Sequence, residues 1–98
     1  TFLHKMNNLL QAIHHPENHM PTIILGDFND NLLPDKETPL LQLMGSFGYK
    51  QVVSKPTTDH GSLLDHIYIH HEINIHVIVD ILDTYYSDHD TVFLTLCL

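Results

Sequence analysis

Three short stretches of the sequence concentrate side chains capable of chemistry: Asp27-Phe28-Asn29, Asp65-His66 and Asp88-His89-Asp90. Each sets a carboxylate beside an amide or an imidazole, and each abuts an apolar run. Carboxylate oxygens are what hard Mg²⁺ or Mn²⁺ prefers, usually with several waters retained. A positioned carboxylate can orient or deprotonate an attacking water. The negative charge that builds on phosphoryl oxygens during displacement calls for an amide, an imidazole or a metal as its stabiliser. A carboxylate behind a histidine fixes its tautomer. Gathered in one cleft, the three stretches suit metal-assisted cleavage of a phosphodiester. Taken singly they have plainer readings: "GDFND" is a turn after a strand, and Asp88 a turn into the last one.

Bringing them together requires a sheet. Residues 2–14 carry Leu3, Met6, Leu10 and Ile13 at helical spacing, and Pro16 marks the end of that helix. Thr22–Leu25 reads as a buried strand bounded by Gly26. Thr38 is placed to cap a second helix, with Pro39 at its first position and Leu40, Leu41, Leu43 and Met44 as its apolar face. "YKQVV" reads as a short strand, "SKPTTDHGS" as a loop, and "LLDHIYIH" as a strand of imperfect alternation. Residues 73–82 alternate well, with Ile73, Ile75, Val77, Val79 and Ile81 on one face. "TVFLTLCL" puts Val92, Leu94, Leu96 and Leu98 on one face, Phe93 and Cys97 on the other. Each polar stretch then falls at a strand end, so neighbouring strands would gather them at one sheet edge.

Composition narrows the classes. The chain has 98 residues, one small domain or a piece of a larger one, and a start without Met suits a piece. No signal peptide is recognisable, and no apolar run approaches the ~18 residues of a membrane span. The single Cys97 rules out an internal disulfide framework and reads as a buried, inert thiol. A reducing, intracellular setting, nuclear or cytoplasmic, is the expectation. Four Lys, no Arg and a formal charge of −8 disfavour a phosphate grip by this segment alone, although a metal inverts that logic. The ten histidines raise zinc or nickel binding as a separate reading. His15 and His19 are divided by Pro16. His66 and His70 share a strand face but stand about 13 Å apart at the usual strand rise. Along with His71 they read as surface or partly satisfied histidines, His66 alone being near enough to reach the cleft rim. Glu17 lies in the loop before the first strand, Asp80 and Asp83 read as solvated, Tyr85 and Tyr86 as packing and rim aromatics, and Tyr68 as core or half-buried.

"ILGDFN", "LLDHIYIH" and "YSDHD", in that order, resemble the second half of the endonuclease/exonuclease/phosphatase superfamily, and the loop phrasing is similar to endonuclease domains of mobile elements. The resemblance implies an α/β fold, the C-terminal part of a four-layer α-β-β-α sandwich with mostly antiparallel strands and two helices. Residues 1–98 would be a partial domain lacking its N-terminal half. It implies Mg²⁺- or Mn²⁺-dependent phosphodiester hydrolysis, with DNA as substrate and no membrane partner. It assigns the attacking water to Asp27, the phosphate to Asn29 and His89, the support of His89 to Asp65, and metal ligation to Asp88 and Asp27. Nothing before Asp27 matches the Asn and Glu that the family's first half supplies, so the full site requires that half, in a domain of roughly 250 residues. Asp90 stands in a stretch where many relatives place a Pro two positions beyond the His. The isolated chain is then expected to be weakly active or inactive. The alternatives are a non-catalytic remnant or binding module, and a phosphatase or phosphodiesterase for lipid or inositol phosphates.

Overall fold

The structure is a computed structural model and describes residues 1–15, 21–73, 75–84 and 87–97. Glu17, His19, Tyr85, Tyr86 and Leu98 lie outside the described residues. Two helices and five strands follow in the order α1 (Phe2–Ile13), β1 (Ile23–Asp27), α2 (Pro39–Ser46), β2 (Tyr49–Gln51), β3 (Asp65–His70), β4 (His76–Leu82) and β5 (Thr91–Cys97).

Both helices begin on a threonine cap. Thr1 accepts from the His4 N–H and Thr38 from the Leu41 N–H, each at 3.2 Å, which satisfies donors that have no partner within the helix. Pro39 opens α2, where its missing N–H costs nothing. The helices bury Met6, Leu10, Leu40 and Met44 against Tyr49, Tyr68, Ile24 and Phe28.

β1, β3 and β2 form an antiparallel sheet in the order β1-β3-β2, and β4 and β5 form an antiparallel pair. Alternation sorts β3 into two faces. His66, Tyr68 and His70 face the helices, whereas Ile67 and Ile69 face β4 and β5, where Val77, Val79, Ile81, Val92 and Leu94 pack on Leu63 and Val53. As the middle strand covered on both sides, β3 is buried from His66 through His70, which explains the poor polar alternation of its sequence. The layers are thus helix, sheet, sheet: an α/β fold of two helices and antiparallel strands.

Three sequence expectations are corrected. The first strand continues through Gly26 and Asp27, because these pair with His66 and Asp65. The second strand stops at Gln51, whose side chain accepts from the Val53 N–H and donates to the Val53 carbonyl, both at 2.6 Å, and so replaces the ladder. The fourth strand begins at His76 rather than at residue 73: Ile73 closes a turn onto the His70 carbonyl at 3.0 Å.

Cys97 is exposed rather than buried. It lies with Phe93 on the outer face of β5, and Phe93, Ile78 and Leu82 are 47%, 51% and 53% exposed there. No layer among the described residues covers that face. No helix among them is long and apolar enough to cross a membrane.

Candidate active site

Asp27 ends β1 and Asp65 begins β3, and the antiparallel register sets them directly opposite each other. His89 approaches from the other sheet, just ahead of β5. Its Nδ1 lies 2.8 Å from Asp65 Oδ2 and its Nε2 3.6 Å from Asp27 Oδ2. Ligand atoms of Asp27, Asp65 and His89 all fall within 4.8 Å of one another.

The meeting of the two sheets is fixed by the loop that composition marks only as "SKPTTDHGS". Thr57 is fully buried, and its Oγ1 accepts from the Leu64 and Asp65 N–H groups, both at 3.1 Å. The Thr57 carbonyl accepts from the Asp90 N–H at 2.7 Å, and the Asp88 carbonyl from the Asp59 N–H at 2.9 Å, on either side of the Thr58–His89 bridge. One buried threonine thereby holds the Asp65 backbone with its side chain and the stretch after His89 with its main chain. Its buried hydroxyl is invisible to motif reading, since a Thr-Thr pair in a polar loop is unremarked until its neighbours are known.

The loop after β1 is held equally firmly. Asp27 Oδ1 accepts from the Asn29 N–H at 2.9 Å, closing a tight turn in which Asn29 takes φ +50, a left-handed conformation that Asn tolerates. Phe28 donates to the Leu64 carbonyl at 2.9 Å, and Asn31 Oδ1 accepts from the Leu63 N–H at 2.9 Å.

His66 proves to be buried structure. Its ring stacks on Phe28, Nε2 lies 2.8 Å from the Asp30 carbonyl and Nδ1 2.7 Å from the Tyr68 hydroxyl. A carbonyl only accepts, so Nε2 carries the proton and Nδ1 accepts from Tyr68. Burial pushes the Tyr68 phenol up, which keeps it a donor. His66 therefore ties the turn after Asp27 down from the helix side, and it lines the cleft between Asp65 and Ile67.

Asp88 is exposed, and its carboxylate is not one of the three groups that converge. Asp88 stands in the bend ahead of the Thr58–His89 bridge. Asn29 is likewise exposed, and its contribution to the cluster is the backbone N–H. Asp90 lines the same cleft of about 310 Å³ as Asp27, Asp65, Leu25, Val92 and Leu94, and its Oδ1 is buried without a partner. The cleft opens between β1 and β5, which are both outer strands.

The electrostatics follow from this crowding. The hydrogen bond to Asp65 raises the His89 pKa; partial burial opposes it, and the charges of Asp65, Asp27 and Asp88 add to the rise. The converging carboxylates thus shift the balance toward the imidazolium. The donor set of two carboxylates, with the orphaned Asp90 oxygen in the same cleft, fits a hard divalent cation, which commonly takes one or two protein carboxylates and completes its shell with water.

Comparison of the chain with protein-family models, with curated proteins and with solved structures returned no match.

Proposed function

We propose that the chain carries the histidine side of a divalent-metal-dependent phosphodiester hydrolase site, with DNA as its substrate and with the N-terminal half of the domain completing it. The observation that supports this reading is the seating of one imidazole between two carboxylates drawn from the opposite sheet, at the mouth of an open cleft.

The chemistry follows from the geometry. Asp65 accepts from His89 Nδ1–H, which aims Nε2 away from Asp65 and toward the cleft. A protonated Nε2 donates to a non-bridging phosphate oxygen and offsets the charge that grows there. Asp27, exposed and not locked into a strong ion pair at 3.6 Å, is free to accept the proton of an attacking water. Asp27 and Asp65 would hold a Mg²⁺ or Mn²⁺ ion. When bound, such an ion polarises the phosphoryl oxygen and lowers the pKa of its water.

The test is an NMR titration of the chain with Mn²⁺, followed by a short DNA duplex or, in a parallel arm, an inositol phosphate. Paramagnetic broadening centred on Asp27 and Asp65, lost in Asp27→Asn, with His89 ring shifts on adding DNA, is the expected result. Broadening elsewhere overturns the metal assignment. His89 shifts with the inositol phosphate and none with DNA move the substrate to the second class.

A further inference from the structure

At the opposite end of β3 from Asp65, His70, His71 and Glu72 bring ligand atoms within 4.8 Å of one another. The strand separates the two clusters by roughly 17 Å at the usual rise, so they are independent. The geometry points to a second metal site here, for a borderline cation such as Zn²⁺, with two imidazoles and one carboxylate as ligands.

Backbone carbonyls prepare both imidazoles. His70 Nε2 lies 3.0 Å from the Phe47 carbonyl and His71 Nδ1 3.2 Å from the Gly48 carbonyl. Each of these nitrogens must carry the proton, because a carbonyl cannot donate. That leaves a lone pair on His70 Nδ1 and on His71 Nε2. Donation of the far N–H to a backbone carbonyl is how metal-bound histidines are commonly oriented. His70 Nδ1 is 4.0 Å from Glu72 Oε2. It also receives the Glu72 N–H at 3.3 Å, a long bond that metal binding replaces and that solvent can satisfy in an exposed turn. Glu72 has a side chain 66% exposed and is free to close on an ion.

Two neighbours shape the site. Gly48 sits at φ +87, and a Cβ there would lie 2.3 Å from His71 Nδ1; only glycine lets that ring approach the carbonyl. The His14 ring stacks on His70 with centroids 4.6 Å apart and planes at 21°. His14 Nε2 lies 2.8 Å from the Tyr49 hydroxyl, so His14 is a wall and not a ligand. Three protein ligands leave a fourth position for water, as in open zinc sites. Two imidazoles with one carboxylate favour zinc or its late neighbours over Mg²⁺.

Calorimetric titration of the 98-residue chain with Zn²⁺ alone tests this. One ion at this site is expected, beside the one that the Asp27–Asp65 cluster takes up. His71→Ala should weaken binding by more than the roughly 10- to 100-fold lost when only a supporting partner is removed. Glu72→Gln should weaken it too, and Asp80→Asn, at an exposed position outside both clusters, should leave it unchanged. Both His71 and Glu72 are exposed, so these variants keep the fold. Absence of zinc binding, binding unaffected by His71→Ala and Glu72→Gln, or binding abolished by Asp27→Asn would each overturn the site.

Discussion

Asp65 Oδ2 and His89 Nδ1 stand 2.8 Å apart and join the two sheets at the mouth of the cleft. The pair stabilises the charged imidazole, so the folded-state pKa of His89 lies above its unfolded value near 6.5. Its contribution to stability is therefore full below pH ~6.5 and is lost as pH rises through the raised value. An NMR titration of the His89 ring should give a midpoint above that of an exposed histidine, and Asp65→Asn should bring it down. An unchanged midpoint in Asp65→Asn would mean that the contact is not formed in solution.

Thr57→Val tests the loop that positions the pair. The substitution keeps the shape but leaves the Leu64 and Asp65 N–H groups without their acceptor. Stranding buried donors costs about 1–3 kcal/mol. Urea denaturation should show that loss, and the His89 midpoint should fall with it as Asp65 loosens. A destabilised Thr57→Val protein with an unaltered His89 midpoint would separate the loop from the site.

Tyr68→Phe removes the hydroxyl that bonds His66 Nδ1. Tyr68 and His66 are both buried, so the His66 lone pair is stranded and a loss of about 1–3 kcal/mol is expected, measurable as a lower urea midpoint at unchanged slope. Leu63→Ala, in the core between the sheets, should cost about 2–5 kcal/mol. If Leu63→Ala were nearly silent, the packing of β4 and β5 on the first sheet would be wrong.

Gly48→Ala places a side chain at φ +87 and against His71. A left-handed conformation costs a non-glycine residue roughly 1–2 kcal/mol, and displacement of the His71 ring adds to it. Thermal denaturation should report the loss. Zinc affinity should fall together with it, in a variant whose metal-ligating side chains are all retained.

The outer face of β4 and β5 exposes Ile78, Leu82 and Phe93 together. Contiguous apolar surface and open strand edges promote association. Size-exclusion chromatography with light scattering should show concentration-dependent oligomers, reduced in Phe93→Lys with no loss of thermal stability. A monomeric wild-type chain would show that this face is tolerated uncovered.

Much of this architecture is legible in order and spacing alone. The apolar steps of α1, Thr38-Pro39 at the start of α2 and the alternation of β5 are local signals, set by helix and strand periodicity and by capping. Local chemistry also marks Asp27, Asp65 and His89 as unusual, because each interrupts or borders an apolar run. What tertiary structure alone decided is which of these side chains meet. Antiparallel pairing put Asp27 opposite Asp65, and the buried Thr57 drew His89 to them from a different sheet. Tertiary structure also left Asp88 exposed in a bend and sank His66 beneath Phe28. At the far end of β3, His70 and His71, which read as surface or partly satisfied, became a candidate ligand set with Glu72 only because the Phe47 and Gly48 carbonyls fix both imidazoles. Sequence determines the local periodicity and the donor types, since those depend on neighbours along the chain. Convergence depends on contacts between distant segments, which only the folded packing specifies.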